Sequence, residues 1–153
     1  MNRRKSREIA MQLLFETTIK GDSFIDVIQN LKENIDIDLE NKIKDEEGIN
    51  LNDVDMEYIL KILKGVFENL EYIDNVLKPY LKNWKIDRLS KVDLSIMRLC
   101  TYEILFEDSI PDKVSINEAI ELAKKFAGDK TPAFINGVLN NVLNNKENIN
   151  KNN

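Results

Sequence analysis

Apolar residues recur at helical spacing along most of this chain, with polar and charged residues between them. The clearest stretch runs from Val114 to Leu143. Its first half carries one apolar stripe, formed by Ile116, Ala119, Ile120 and Ala123. Its second half carries another, formed by Phe134, Ile135, Val138, Leu139, Val142 and Leu143. Because residues three or four apart share one face of an α-helix, the stretch predicts two helices, each with an apolar side.

The ends of these two helices carry residues that suit helix caps. Ser115 can serve as the first N-cap, and Glu118, three residues later, can complete a capping box. Gly128 suits a left-handed C-cap. Thr131 suits the second N-cap, and Pro132 then stands at the first helical position, where its missing N–H has no cost. The stretch therefore predicts a helical hairpin with a short turn.

Two further helices are predicted near the start of the chain. The first begins near Ser6 or a little earlier and ends at Gly21. The second is capped by Asp22 or Ser23 and carries apolar residues at helical spacing. Residues 36–52 alternate charged residues with Asn, which predicts a solvated connector.

A long apolar-periodic segment follows, from Asp53 to Leu77. A single straight helix of this length would span roughly 40 Å at 1.5 Å per residue, longer than a domain of this size needs. We therefore expect a bend or break within residues 69–72. Pro79 is expected to end or kink the helical pattern. Trp84, in the connection after it, is expected to fill the core rather than to serve as a platform for base stacking.

The next helix, opened by Asp87 or Ser90, is apolar on nearly all sides, which is typical of a central buried helix. Arg98 interrupts that pattern, and since a buried charge needs a partner, we expect a carboxylate or carbonyl groups beside it. From Asn144 onward the chain contains almost nothing apolar, which predicts disorder. The patterns together predict an all-α protein with one domain over residues 1–143 and a disordered tail over residues 144–153.

Composition agrees with this interpretation. The 153 residues are 42% hydrophobic and 32% charged, which suits one soluble, helix-rich domain. No apolar run approaches the roughly 20 residues that a membrane span needs, and no signal peptide follows the basic start, so we expect a cytoplasmic protein. Cys100 is the single cysteine, lies in an apolar segment and is expected to be a buried, inert thiol.

Residues suited to catalysis are missing from the sequence. There is no His, which removes the usual metal ligand and the usual acid–base group at neutral pH. The sequence also has no glycine-rich phosphate loop and no CxxC pair. We therefore predict no catalytic residue, no metal site, no cofactor and no enzymatic activity.

Basic residues are concentrated at the start of a chain whose net charge is −5. Arg3, Arg4, Lys5 and Arg7 stand where cations oppose the helix dipole, and an anionic ligand would reverse that cost. A frayed, solvated tail is the alternative. From the residues alone, an RNA-binding module and a helical scaffold that binds proteins without RNA specificity both stay open.

Several motifs decide between these possibilities. In chain order they are RRKSRE followed by AMQLLF, VDMEYILKILKGV, LKPYL, VDLSIMRLCTYEI, IPDKVSINEAIELAKKF and INGVL. With this set, which extends from Arg3 to Asn140, the chain resembles the bacterial transcription antitermination factors of the NusB family.

The resemblance implies a fold, partners and a function. The fold is all-α, a compact domain of about seven helices arranged as two small helical bundles. The function is to bind the boxA RNA of ribosomal-RNA leader transcripts together with the ribosomal small-subunit protein NusE, and to associate with elongating RNA polymerase and other Nus factors. Family members occur as monomers and as homodimers, and the sequence leaves both possibilities open.

The resemblance also implies site residues. The positions that face RNA in the family fall on Arg3, Arg4, Arg7, Phe15, Phe126, Lys130 and Phe134. The acidic positions that face the partner protein fall on Asp87 and Asp93. Phe15 stands where the family often has Tyr, and Lys130 where some members have an acid; the added positive charge should favour RNA.

Overall fold

The computed structural model describes residues 2–21, 25–27, 29–30, 33, 54–82 and 84–151, and this part of the chain is helical throughout its regular structure. Residues 25–27, 29–30 and 33 are helical, as predicted for the second helix, whereas its caps Asp22 and Ser23 and the connector 36–52 lie outside the described residues. The α-helices whose bounds the structure describes are α1 (Arg3–Lys20), α2 (Met56–Glu68), α3 (Leu70–Leu77), α4 (Lys91–Phe106), α5 (Asp112–Phe126), α6 (Thr131–Asn144) and α7 (Lys146–Lys151). Two 3₁₀ turns, Lys78–Tyr80 and Ile86–Arg88, precede α4. The prediction of an all-α fold is confirmed.

The chain divides into two compact units, Met1–Lys64 and Gly65–Asn153. In the first unit, a backbone bridge joins Asn2 to Val54. The Ser6 hydroxyl links the same two segments, since it donates to the Asn2 carbonyl and accepts from the backbone N–H of Asp55, each at 2.7 Å. Apolar side chains of α1 and α2 are buried, among them Ala10, Met11, Leu14, Ile59 and Ile62.

In the second unit, α4 is the central helix and contacts α3, α5 and α6. Its side chains are buried on several sides, which confirms the prediction of a central buried helix; the most buried are Ile96, Met97, Cys100 and Ile104. The Cys100 thiol is buried, as predicted. Arg98 donates from Nε and Nη2 to the two carboxylate oxygens of Asp74 on α3, so the predicted carboxylate partner is confirmed.

The predicted break in the long apolar segment lies at Asn69, between α2 and α3. The Asn69 side-chain amide donates to the Gly65 carbonyl at 2.8 Å, and its backbone N–H is shared between the carbonyls of Gly65 and Val66. This competition for the last carbonyls of α2 ends the regular helical pattern. Pro79 then lies in a 3₁₀ turn, which ends the α-helix as predicted.

The ends of α1 follow the expected chemistry. Asn2 is the N-cap, and its side chain accepts a hydrogen bond from the Lys5 backbone N–H at 2.9 Å. Gly21 ends the helix in the left-handed conformation with φ of 71°, which a residue without a Cβ adopts without strain. Gly21 was predicted to end this helix, and the prediction is confirmed.

The predicted caps of the hairpin are wrong. Helix α5 begins at Asp112, and Ser115 is a buried residue inside it rather than its N-cap. Pro111, with its fixed φ, and the Asp112 carboxylate in the first turn both favour the earlier start. At the other end of α5, Ala127 is the C-cap with an extended backbone, so Gly128 is not a left-handed cap. Lys130 takes the cap position of α6, and Thr131 is its first helical residue.

The end of the chain differs from the predicted disordered tail. Residues Lys146–Lys151 form α7, and Lys146 Nζ donates to both carboxylate oxygens of Asp112, at 3.1 and 3.3 Å. The Asn- and Lys-rich composition cannot reveal this ion pair, because Asp112 lies 34 residues earlier. Among the residues that the structure describes, none of the helices combines the length and apolarity that a membrane crossing needs.

Candidate nucleic-acid interface

The basic start of α1 is held by two residues at the start of α2. Arg3 donates to Asp55 Oδ2 at 2.9 Å, and its guanidinium carbon lies 4.3 Å from the ring centroid of Tyr58. The guanidinium carbon of Arg7 lies 5.7 Å from the same centroid, and Arg7 is only 4% exposed. Tyr58 is therefore a cation–π partner of both arginines, and it fixes where their charge is placed.

Asp55 connects this basic cluster to the fold. It accepts a hydrogen bond from the backbone N–H of Tyr58 at 3.0 Å, in addition to that of Arg3. The Tyr58 N–H bond is the largest cause of a lowered Asp55 pKa; burial opposes it, and the hydrogen bond and charge of Arg3 add to the lowering. The carboxylate is thus held in its charged form, which keeps Arg3 paired.

The predicted RNA residues of α1 differ in exposure. Arg4 is exposed, and Arg3 keeps 44% of its side chain accessible despite its ion pair. Phe15 is partly exposed, further along the helix. Arg7, by contrast, has little surface to offer a ligand. Arg3 and Arg4 are therefore accessible at the surface, whereas Arg7 is buried against Tyr58.

A cleft of about 410 Å³ lies in the second unit, beside the starts of α4 and α6. We call it the Trp84 cleft. Its lining residues come from the connection before α4, from the first turn of α4 and from the first turn of α6: Trp84, Arg88, Leu89, Ser90, Asp93, Lys130, Thr131 and Phe134. It therefore combines aromatic and apolar surface with two cations, two hydroxyls and one carboxylate.

Trp84 is 58% exposed, so the prediction that it fills the core is wrong. Lys82, two residues earlier, adopts the left-handed conformation with φ of 58°, so the helical path ends before Trp84. The sequence carried a sign of this, because Trp84 lies between Asn83 and Lys85 and belongs to no apolar stripe. Of the eight lining residues, only Asp93, Lys130 and Phe134 were predicted as binding residues. Base stacking was set aside for Trp84, and Arg88 was not considered.

Ser90 is the N-cap of α4, and it was one of the two residues predicted to open this helix. It fixes Asp93 in the first turn. The Ser90 hydroxyl accepts from the Asp93 backbone N–H at 3.0 Å. Burial raises the pKa of the Asp93 carboxyl, and a hydrogen bond with the Ser90 side chain partly offsets that rise. The carboxylate is therefore partly desolvated at the wall of the cleft.

The structure groups the predicted site residues in an unexpected way. Lys130 and Phe134, assigned to RNA by resemblance, line the same cleft as Asp93, assigned to the partner protein. Phe126 does not line the cleft; it is partly exposed at the end of α5, with Lys125 Nζ 5.5 Å from its ring centroid. Asp87 is exposed in the 3₁₀ turn before α4 and is also outside the cleft lining.

The described residues contain no group of three or more acidic or cysteine side chains placed to hold a metal ion. The Trp84 cleft offers charged, aromatic and hydrogen-bonding side chains.

Known proteins with similar sequences and structures identify the family of this chain. Residues 4–144 match the model of the NusB family. The transcription antitermination protein NusB of Clostridium botulinum (strain Kyoto / Type A2) is 57% identical over 143 residues, which cover 94% of this chain and all of the relative. The crystal form 2 structure of T. maritima NusB superposes with a TM-score of 0.77 at 31% identity, covering 99% of this chain and 98% of that one.

A second solved structure contains the antitermination factors NusB and NusE in complex with dsRNA. It has a TM-score of 0.70 at 23% identity and covers 92% of this chain and 95% of that one, which supports the shared fold. The prediction of a non-enzymatic protein is confirmed, because the relatives are transcription antitermination proteins. The chain belongs to the NusB family of transcription antitermination proteins.

Proposed function

We propose that this chain is a cytoplasmic antitermination factor that binds boxA RNA of ribosomal-RNA leader transcripts together with NusE. The resulting complex then associates with elongating RNA polymerase and other Nus factors. Family membership over residues 4–144 supports the antitermination role. The similar structure of NusB and NusE with RNA supports the choice of partners.

The lining of the Trp84 cleft is the main support for the proposal that this chain binds RNA. Lys130 and Phe134 share it with Trp84 and Arg88, so cationic and aromatic side chains line one concave surface. Single-stranded RNA is commonly held by such a combination, since cations contact its phosphates and aromatic rings stack on its bases. Phe126 and Phe15, both partly exposed, are proposed as further aromatic contacts.

The start of α1 is proposed as a second contact with the RNA backbone. Arg3 and Arg4 present charge at the surface, while Arg7 supports them from its buried position on Tyr58. Because only a few cations are involved, few counterions are released on binding. The affinity should therefore depend on salt concentration only weakly, with a slope set by a small number of phosphates.

NusE is proposed to bind through acidic positions of this chain. Asp87 is exposed in its 3₁₀ turn and is accessible to a protein partner. Asp93 lies in the cleft, so a partner that contacts Asp93 would also contact the surface around Lys130. We propose Asp87 as the more direct contact with NusE.

Size-exclusion chromatography tests this function. The chain, NusE and a boxA RNA oligonucleotide should elute together as one ternary complex, and a scrambled RNA should elute separately. Asp87→Asn should weaken the association with NusE, and Asp108→Asn, at an exposed position outside the cleft lining, provides a matched control. A stable complex with NusE that retains neither RNA would instead support a protein-binding scaffold without RNA specificity.

A further inference from the structure

Trp84 and two cations of the Trp84 cleft are exposed and accessible to a ligand. Trp84 is the single Trp of the chain and is 58% exposed, which leaves a large aromatic surface in water. The side chains of Arg88 and Lys130 form no hydrogen bond or ion pair with any residue that the structure describes. An aromatic surface and two such charges in one cleft indicate a ligand that is both planar and anionic.

The remaining lining residues narrow the class of ligand. Phe134 and Leu89 extend the apolar surface, while Ser90, Thr131 and Asp93 supply hydrogen-bonding groups. The volume of about 410 Å³ falls in the range of about 300–1,000 Å³ that is typical of small-molecule sites. An acidic peptide would supply carboxylates for the cations but no flat base to stack on Trp84. A nucleotide has a flat apolar base for the rings and a phosphate for the cations.

We propose that the Trp84 cleft holds one unpaired nucleotide of the bound RNA, with its base stacked on Trp84 and its phosphate near Arg88 and Lys130. In this arrangement an exocyclic amino group of the base donates to the Asp93 carboxylate. The inference rests on the proposed RNA-binding function and gives Asp93 a role in RNA recognition instead of one toward the protein partner.

Asp93 makes this subsite selective for the type of base. An ionised carboxylate accepts hydrogen bonds and cannot donate one, so it favours bases with an exocyclic amino group, as adenine, cytosine and guanine have. Uracil has no exocyclic amino group, and its single donor, the N3–H, lies between two carbonyl oxygens that the carboxylate repels. Ser90 holds Asp93 in place, so the preference is built into the start of α4.

Intrinsic fluorescence tests the stacking directly, because Trp84 is the only Trp. The full chain is titrated with a boxA-containing RNA while fluorescence anisotropy of a label on the RNA reports binding in parallel. Trp84 emission should be quenched at the same RNA concentrations, and acrylamide should reach Trp84 less readily in the complex. RNA binding with unchanged Trp84 emission and acrylamide access would overturn the inference alone. No RNA binding by anisotropy, with or without NusE, would overturn the proposed function and this inference with it.

Substitutions then test each contact. Trp84→Ala should weaken RNA binding about ten-fold, as loss of one stacked base does, and Trp84→Phe should restore most of the affinity. Because Trp84 is largely exposed, both variants should fold, which circular dichroism verifies. Lys130→Ala should weaken binding, whereas Lys113→Ala, which removes an exposed lysine outside the cleft lining, should not. Equal affinity of Trp84→Ala and the original chain would contradict the inference.

Decanucleotides of one base test the selectivity. Binding of rC10 should be about five-fold tighter than binding of rU10, the ratio that one base-edge hydrogen bond supplies at the low end of its usual range. Asp93→Asn should reduce this ratio toward one, because an amide both donates and accepts. A ratio that Asp93→Asn leaves unchanged would overturn the role of Asp93.

Discussion

Arg98 on α4 donates from Nε and from Nη2 to the two carboxylate oxygens of Asp74 on α3, each at 2.8 Å. Both side chains are largely buried, with 12% and 16% of their surface exposed. Bidentate geometry of this kind fixes one helix against the other, and removal of either partner leaves the other charge poorly solvated.

Breaking this pair should destabilise the fold. Arg98→Met should lower the free energy of unfolding by about 2 to 4 kcal/mol, because Asp74 is then left without its partner in a mostly buried position. Urea denaturation measures the change. Lys124→Met, which breaks the exposed pair of Lys124 with Glu121, is the control and should change stability by about 0.5 kcal/mol or less. Equal effects of the two substitutions would contradict the structural role of Arg98.

Two helical glycines should respond in opposite ways to an added methyl group. A Cβ at Gly65 would overlap with the ring of Tyr102, whereas a Cβ at Gly137 meets nothing within 4 Å. Gly65→Ala should therefore lower the free energy of unfolding by about 1 to 3 kcal/mol through overpacking. Gly137→Ala should raise it by about 0.5 to 1 kcal/mol, because Ala is the better helix former. Thermal and urea unfolding of the two variants check this contrast, and stabilisation by Gly65→Ala would refute the close packing of Tyr102.

The raised pKa of Asp93 predicts a pH-dependent stability. The folded state holds this proton more tightly than the unfolded state, so stability falls as pH rises from the ordinary aspartate pKa, about 3.9, through the raised folded value. Asp93→Asn should remove this loss, so the variant should be more stable than the original chain at neutral pH. The difference in stability between Asp93→Asn and the original chain should become smaller as the pH is lowered.

Urea denaturation between pH 4 and pH 7 measures that effect. Asp87→Asn removes the same charge at an exposed position outside the cleft lining and is the control. If the two substitutions change the free energy of unfolding equally at every pH, burial of Asp93 is not the cause of the pH dependence.

Substitutions of Arg4 and of Arg7 should change different properties, RNA binding for Arg4 and the stability of the fold for Arg7. Arg4→Ala should leave the unfolding free energy nearly unchanged and should lower the salt slope of RNA binding by about 0.7, the value for one phosphate of a single strand. Arg7→Ala should lower the unfolding free energy by about 1 to 3 kcal/mol, because Arg7 is buried and lies over Tyr58. Anisotropy titrations at several salt concentrations and urea unfolding measure the two quantities. A destabilised Arg4→Ala with unchanged RNA affinity would reverse this assignment.

Residue patterns predict the helices better than they predict the ends of the helices. The apolar stripes of the hairpin place α5 and α6 correctly, because burial of one face decides whether a helix forms. The cap at Ser115 was wrong, since a serine near a helix start can also lie inside the first turns when Pro111 and Asp112 start the helix earlier. Local cap chemistry alone cannot choose between such neighbouring starts.

Contacts between distant residues lie beyond what spacing can reveal. The apolar surroundings of Arg98 predict that it has a partner, but not that Asp74, 24 residues earlier, is that partner. In the same way, the resemblance selects Lys130 and Phe134 together with Asp93, but only the fold brings these three side chains to one cleft. Trp84 joins them in the connection after Pro79, where the left-handed backbone at Lys82 sets its direction, and the apolar stripes do not specify that turn.

Fluorescence anisotropy of a boxA RNA and a scrambled RNA, each titrated with this chain alone and with NusE at two salt concentrations, tests the central claim most directly. We predict a preference for boxA that becomes stronger when NusE is present, with an affinity that salt weakens only slightly. Equal and weak binding of both RNAs, with or without NusE, would contradict the claim that this chain recognises boxA RNA.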